Sequence, residues 1–233
     1  MLIYPINLKA EQQASLARPR LKYSLSARFF FFALDFVTGR RITLAKAKLL
    51  ELLASIPYRQ WEINQYARIT RCFRNTEKVN QAESVIEWGR NAQDNEYDHL
   101  QVIHEKMRED GLKDTWYLWS PITFLIVFSY VIISKLGALI NIKSAFHFNA
   151  EFEDHAEHVY AQMVSEHPEW EKQQLTNELV KRYADVNTWA DVFRRVGLDE
   201  RDHRNDSFIF CGKPEYIVNY EGMPSIHSPG NHY

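Results

Sequence analysis

Residues 95–99 read NEYDH and residues 199–203 read DERDH, so one Glu-x-x-His pattern occurs twice in the chain. Glu and His three residues apart lie on one face of an α-helix, where both side chains can reach the same ion. A single pair of this kind would indicate only solvated surface residues. The repeat gives four candidate metal ligands, Glu96, His99, Glu200 and His203.

Two further glutamates lie in apolar helical segments. Glu51 occurs in KLLELLASIPY (48–58), and Glu153 occurs in FHFNAEFEDHAEHVY (146–160). A buried carboxylate needs a cation or a proton, because burying it unpaired costs free energy. We therefore add both glutamates to the candidate metal ligands.

The order of these ligands along the chain predicts the fold. A lone Glu, a Glu-x-x-His pair, a second lone Glu and a second pair follow one another, each on its own helix. That is the ligand set of a ferritin-like four-helix bundle with a di-iron carboxylate site. Carboxylates combined with imidazoles favour iron or manganese over zinc. The alternative is a bundle that contains buried salt bridges and no metal.

Asn95 and Asp199 each lie four residues before a ligand histidine, so both belong to the layer of the bundle that holds the ligands. We expect these side chains to hydrogen-bond the distal ring nitrogens of the histidines and to fix their tautomers. The alternative is that they are ordinary polar residues.

Apolar periodicity and capping residues predict an all-α chain. Ser120, Ser144 and Thr188 are each expected to cap a helix. Helices are predicted at 26–37, 43–74, 81–110, 121–140, 144–167, 169–184 and 188–211. We expect three parts, which are an extended N-terminal arm (1–22), the di-iron helical bundle domain (23–211) and an irregular C-terminal tail (212–233).

A very apolar helix, PITFLIVFSYVIISKLGALI (121–140), lies between the ligands Glu96 and Glu153. If it crossed a bilayer alone, a hydrocarbon core of about 30 Å would separate those two ligands. We therefore expect it to lie in the membrane surface with a second apolar helix, SARFFFFALDFV (26–37), which basic residues flank. The alternative is a hydrophobic dimer interface. The net charge of −2 gives no reason to expect a nucleic-acid partner.

Four segments of the chain resemble the alternative oxidase family of membrane-bound di-iron quinol oxidases, and the motifs are closest to those of the plastid terminal oxidases. LLELLASIPY is similar to the family's LET-x-A-x-VP, and NEYDHL is similar to NE-x-x-HL. FHFNAEFEDHAEHVY is similar to the plastid-type HFSE and E-x-HA segment with its following Tyr. DVFRRVGLDERDHRND is similar to the DE-x-x-H-R-D end. The resemblance covers about residues 25–210.

The resemblance implies an oxidoreductase that reduces O2 to water with electrons from quinol and pumps no protons. It implies two iron ions per chain, with neither haem nor flavin. Glu96 and Glu200 would bridge the irons, while Glu51 and Glu153 would be terminal ligands. Tyr160 would be catalytic, and it follows Glu153 by two helical turns on the same face.

The resemblance also implies partners and a location. The electron donor would be plastoquinol or ubiquinol. The enzyme would be a homodimer, monotopic on the inner face of a bacterial cytoplasmic, thylakoid or other organellar membrane.

The family's quinol pocket maps onto four positions of this chain. Leu50 and His155 match it. Lys46 stands where the family has Arg, and Val159 stands where it has Thr. Lysine lacks the planar fork of arginine, and valine lacks a hydroxyl. Two other functions therefore stay open, a di-iron oxidase or oxygenase that acts on another lipid-like membrane substrate, and an iron-storage or non-catalytic bundle.

Overall fold

The computed structural model describes residues 6–226, and within that range the chain is all-helical with no β-strand. The predicted all-α class is confirmed. The helices are α1 (Leu8–Ala17), α2 (Leu25–Thr38), α3 (Leu44–Cys72), α4 (Thr76–Glu109), α5 (Ser120–Ile140), α6 (Ile142–Glu166), α7 (Glu178–Tyr183) and α8 (Trp189–Cys211).

Four long helices, α3, α4, α6 and α8, form the bundle. A short turn joins α3 to α4, and these two helices pack against each other, as α6 packs against α8. Gly89 lets α4 approach α3, because a Cβ there would lie 3.2 Å from the backbone oxygen of Tyr58. Gly197 lets α8 approach α6 in the same way, since its Cβ would lie 3.2 Å from Cβ of Tyr160.

Two of the three predicted caps are wrong. Thr188 caps α8 as expected, and its side-chain oxygen accepts a hydrogen bond from the backbone N–H of Asp191. Ser120 is inside α5 and makes no capping bond, because Trp119 occupies the cap position. Asn141 caps α6 by accepting a hydrogen bond from the backbone N–H of Ser144, so the helix begins before that serine.

The prediction of one helix at 169–184 is also wrong. Residues Pro168–Glu171 form a 3-10 turn, and α7 is only six residues long. Between them the chain is extended, and Leu175 donates a backbone hydrogen bond to the carbonyl of Asn187. Asn177 then starts α7 by accepting hydrogen bonds from two backbone N–H groups. The helix is interrupted because the backbone around Leu175 bonds to the segment before α8 instead of forming helical hydrogen bonds.

Part of the predicted N-terminal arm, Leu8–Ala17, is helical where we expected an extended chain, and residues 1–5 lie outside the described range. Asn7 caps α1, and this helix packs against α6 and α8. Ser15 donates a hydrogen bond of 2.6 Å to the buried carboxylate of Glu157. Arg201 donates to Glu11 at 2.5 Å and to Glu157 at 2.8 Å. The helix forms because Glu11 and Ser15 are one turn apart and meet the same buried ion pair.

The predicted tail begins where α8 ends. Gly212 ends α8 in the left-handed conformation, with φ of 80°. The tail then runs back along α8, where Asn205 donates to the carbonyl of Val218 at 3.0 Å and Tyr220 donates to Asp202 at 2.8 Å. It contains one 3-10 turn at Pro214–Tyr216, and residues 227–233 lie outside the described range.

The two apolar helices lie outside the four-helix core. In the described range α5 is the one helix long and apolar enough to cross a membrane, and only Tyr130 and Ala138 in it are buried. It packs against α3 and α6, while α2 packs against α6. The exposed apolar residues of these helices are Leu25, Phe29, Phe32 and Phe36 in α2, and Phe124, Leu125, Phe128, Ile132, Ile133, Leu136, Leu139 and Ile140 in α5.

Candidate metal centre

The structure brings all six predicted ligands together in the middle of the bundle. Glu51 lies on α3, Glu153 lies on α6, and α4 and α8 each supply a Glu-x-x-His pair. The side chains form two overlapping groups, and within each group one ligand atom per residue lies within 4.8 Å of the others. The first group is Glu51, Glu96, His99 and Glu200, and the second is Glu96, Glu153, Glu200 and His203.

Most of the ligand atoms face a common centre without bonding to one another, and the exception is a hydrogen bond of 3.2 Å between His99 Nδ1 and Glu51 Oε2. Both carboxylate oxygens of Glu96 and of Glu200 are buried and have no hydrogen-bond partner. The same is true of Oε2 of Glu153. His203 Nδ1 lies 2.9 Å from Glu96 Oε1, yet the two do not have hydrogen-bond geometry. Unsatisfied buried carboxylates are costly, so this arrangement fits metal cations.

The electrostatics of the site also favour a cation. Burial, and then the carboxylates of Glu96 and Glu200, raise the pKa of Glu153 well above its ordinary value. Burial alone would lower the pKa of His99, but Tyr183, Asp199 and the ligand carboxylates outweigh it and raise the pKa. Without a metal ion, the charge of the carboxylates is therefore balanced by protons.

Metal loading is therefore expected to release protons, and metal affinity is expected to rise with pH. A metal ion must displace the proton that the raised pKa of Glu153 retains, and a higher pH removes that proton beforehand. The measurement is anaerobic titration of metal-free protein with ferrous iron, in weak buffer that contains a pH indicator. Glu153→Gln is the control, because its amide has no acidic proton to release. Metal uptake without proton release, or affinity that falls with rising pH, would contradict this account.

The predicted partner residues lie beside the histidines but not in the way their spacing suggested. Asp199 lies on α8, and its Oδ2 is 3.3 Å from Nε2 of His99 on the facing helix α4. Asn95 donates to the same carboxylate oxygen at 3.5 Å and bonds to neither ring. Tyr183 also donates to Oδ2 of Asp199, at 2.5 Å, and Arg195 pairs with Oδ1 of Asp199. His99 Nδ1 thus faces the ligand carboxylates, while Nε2 is held by Asp199.

A buried tyrosine reaches each of the two lone glutamates. Tyr160 on α6 donates a short hydrogen bond to Glu51 on α3. Tyr58 on α3 donates to Glu153 on α6 at 2.8 Å. We did not predict Tyr58, although a signal was present, since each tyrosine follows a lone glutamate by seven residues. The two halves of the site are therefore related by an approximate two-fold arrangement.

The four residues of the predicted quinol pocket lie near the contact of α2 with α6. Leu50 and Val159 are buried in one apolar cluster against which Phe31 packs. His155 stacks on Phe31, with ring centroids 4.1 Å apart. Burial, and then the nearby cations Arg20 and Lys46, lower the pKa of His155 to about 3, so its imidazole is neutral at pH 7.

Lys46 is not a free cation. Its ammonium group is buried and donates to the carboxylate of Asp35 and to the carbonyl of Gly39 at 3.0 Å. Both acceptors belong to the end of α2 and the residue that follows it. Lys46 therefore fixes the apolar helix α2 to the bundle.

A cavity of about 270 Å³, here called the tail cavity, lies beside the candidate metal centre. The candidate ligand His203 contributes to its wall, as do Asn95 and Asp199. Residues 224–226 of the C-terminal tail line it from the other side. The cavity therefore offers an approach to the imidazole side of the centre.

Comparison with known proteins identifies no relative. A scan against protein-family models found no match, and a search of curated proteins found none that is significant. The resemblance to the alternative oxidases therefore stays a prediction from the quoted motifs.

Proposed function

We propose that this protein is a di-iron quinol oxidase of the alternative oxidase type, built on a ferritin-like bundle at a membrane surface. One observation supports this most strongly, the two overlapping groups of buried ligands that share Glu96 and Glu200. Shared carboxylates are suited to bridging two metal ions. Oxygen-rich ligands with one imidazole per ion favour iron or manganese over zinc.

The site residues have distinct tasks in this proposal. Two bound iron ions would supply the one-electron chemistry that connects an organic donor to O2. Glu51 and Glu153 would each hold one of the two ions, and Asp199 orients the His99 ring. Tyr160 can give an electron from its ring and a proton along its hydrogen bond to Glu51. It would supply one of the electrons that two ferrous ions cannot, since O2 needs four and the ions readily give two.

A lipid-soluble donor fits the surroundings of His155. The neutral imidazole can hydrogen-bond a quinol oxygen and so orient the donor. Phe31 stacks on the imidazole and packs in turn against the apolar cluster that contains Leu50 and Val159. The two quinols oxidised per O2 would release four protons and supply four electrons, giving two quinones and two waters.

The function is tested by oxygen uptake of purified, iron-loaded protein with a short-chain quinol. We expect uptake that depends on quinol and consumes two quinols for each O2. Glu166→Ala, which changes an exposed glutamate at the end of α6, is the matched control for ligand variants. Iron-loaded protein that oxidises no quinol would overturn the quinol assignment.

The ion pair between Lys46 and Asp35 favours a second function, in which the substrate is a different lipid-like molecule. This pairing leaves no free cation at the position where the family's pocket has an arginine. A di-iron oxidase or oxygenase that acts on another lipid-like membrane substrate would need none. In that case oxygen uptake would require a lipid extract and would yield an oxidised or hydroxylated lipid, while the quinol would remain unchanged.

We also infer that α2 and α5 lie in one leaflet of a membrane. Both helices expose large apolar side chains, and α2 is flanked by exposed cations suited to lipid headgroups. Arg18 is not among these cations, because it is paired with Glu157. The others are Arg20, Lys22, Arg28, Arg40 and Arg41. A second copy of the chain, giving the predicted homodimer, would cover part of the same surface.

The protein is therefore expected to sediment with membranes and to be released by detergent. Helix α5 should not cross, because Glu96 before it and Glu153 after it belong to one ligand group. Cysteines placed at Lys113 and Ser144, in a background that lacks Cys72 and Cys211, test the topology. Both should react with an impermeant reagent from the same side of sealed vesicles. Labelling from opposite sides would contradict the monotopic arrangement.

A further inference from the structure

Tyr58 connects the candidate metal centre to a pair of buried tryptophans. Its ring centroid lies 5.2 Å from that of Trp61 and 5.4 Å from that of Trp88, and the two indoles stack at 5.1 Å. All three side chains are at most 1% exposed. Phenol and indole are the most readily oxidised aromatic side chains, so this group, here called the Tyr58 cluster, can pass single electrons between rings in van der Waals contact.

The two indoles are unusual because their N–H groups are not satisfied. Nε1 of Trp61 and Nε1 of Trp88 are both buried and have no hydrogen-bond partner. Buried indole N–H groups ordinarily find a partner, and an exception needs an explanation. Both indoles lie against the Tyr58 ring, so the cluster places two oxidisable rings next to the phenol.

The environment of the other tyrosine is different. Tyr160 stacks with Phe193, with centroids 6.2 Å apart, and Phe193 in turn stacks with Trp170. Phenylalanine is not oxidised at potentials that oxidise tyrosine. Lys106 lies 5.4 Å from the ring centre of Trp170 and 5.3 Å from that of Trp189, and a cation over an indole disfavours loss of an electron. Within residues 6–226, no cation lies over Trp61 or Trp88.

The Tyr58 cluster contacts the candidate metal centre at one end and the tail cavity at the other. At the inner end, Tyr58 donates to Glu153 at 2.8 Å, and Asn149 donates to the Tyr58 oxygen at 2.8 Å and so fixes the direction of the phenol. At the outer end, Trp88 lines the tail cavity. The path therefore runs from a candidate metal ligand to the tail cavity.

We propose that Tyr58 and Trp88 form a one-electron path that discharges the oxidised metal centre into the tail cavity when no organic donor is bound. This rests on the proposed function, because it needs a centre that O2 has oxidised. An electron moves from the Tyr58 ring to that centre while the phenol proton moves to Glu153. Trp88 then gives an electron to Tyr58, and the proton returns from Glu153. A one-electron reductant such as ascorbate, entering the tail cavity, finally reduces Trp88.

The test uses full-length protein loaded with ferrous iron and exposed to O2 without quinol or ascorbate. With no reductant, the oxidised ring of Trp88 should react with dissolved O2 and be converted to oxygenated products, which peptide mass spectrometry detects. We expect oxygenated Trp88 in the wild type, loss of most of it in Tyr58→Phe, and retention in Tyr117→Phe, which changes a buried tyrosine outside the metal centre. Trp170 in the same sample is the internal control and should stay unmodified. Equal oxidation of Trp88 and Trp170, or Trp88 oxidation that does not depend on Tyr58, would overturn the proposal.

A second variant keeps the proposal testable if Tyr58→Phe is poorly folded. In Trp88→Phe the path is cut beyond Tyr58, so a tyrosyl radical should persist longer in electron paramagnetic resonance spectra than in the wild type. An unchanged radical signal would overturn the path.

Iron content and O2 consumption of the same samples distinguish failure of the proposed function from failure of the electron path alone. Protein that binds no iron, or whose ferrous iron O2 does not oxidise, would overturn the proposed function and this path with it. Iron that is oxidised while Trp88 and the radical lifetime stay unchanged would overturn the path alone.

Discussion

Replacing Glu200 with alanine is expected to empty the metal centre and to lower oxygen reduction by more than about 100-fold, since loss of an outer partner alone costs about 10–100-fold. Glu200 belongs to both ligand groups, so its loss removes an oxygen from each metal position. Glu51→Ala and His99→Ala each remove a ligand from one group only. We expect them to abolish activity as well, but to leave part of the metal bound.

The helices should survive the loss of Glu200. Burial and the carboxylates of Glu96 and Glu200 raise the pKa of Glu153, which shows that these groups destabilise one another without a cation. Metal-free Glu200→Ala is therefore expected to melt no lower than metal-free wild type, while metal should stabilise only the wild type. Circular dichroism and metal analysis on one preparation test this, with Glu166→Ala as the control. Normal metal content in Glu200→Ala would remove this residue from the ligand set.

Replacing Tyr160 with phenylalanine is expected to leave the fold and both metal ions in place and to abolish most oxygen reduction. Burial, and then the carboxylates of Glu51 and Glu200, raise the pKa of Tyr160 well above its ordinary value, so the phenol keeps its proton. Phenylalanine fills the same space and costs about 1 kcal/mol for the lost hydrogen bond to Glu51. It cannot, however, supply an electron and a proton.

Tyr117→Phe is the matched control for this variant, because Tyr117 is also buried and is not part of the metal centre. Metal content, thermal melting and quinol-dependent oxygen uptake should be measured on the same preparations. Wild-type uptake by Tyr160→Phe with intact metal would make Tyr160 a structural residue only.

The positions of the ligands could be predicted because helical spacing is rigid. Glu96 and His99 lie three residues apart, and a helix gives their side chains only one relative placement. The same rule places Tyr160 two turns beyond Glu153. Spacing within one helix could not predict which side chains meet across to the facing helix. Asp199 was expected near a ring because of its place before His203, but its carboxylate meets His99 on α4.

Local sequence was least informative where tertiary contacts decide the structure. The residues of α1 have little apolar periodicity, and the helix is held by polar contacts to residues far along the chain, such as Arg201 and Glu157. Lys46 was expected to face a substrate, but it pairs with Asp35 at the end of α2. Tyr58 was detectable only by comparing the two halves of the site, in which each lone glutamate is followed by a tyrosine.

The most direct test of the account is the metal content of protein purified without added metal, combined with the spectrum of the bound ions. Two sets of ligands that share Glu96 and Glu200 predict about two iron ions per chain, coupled magnetically through the shared carboxylates. Glu200→Ala should contain neither iron ion nor the coupled signal. Zinc alone, a single uncoupled ion, or no metal in a protein of native helicity would contradict the two-metal centre on which the proposed function rests.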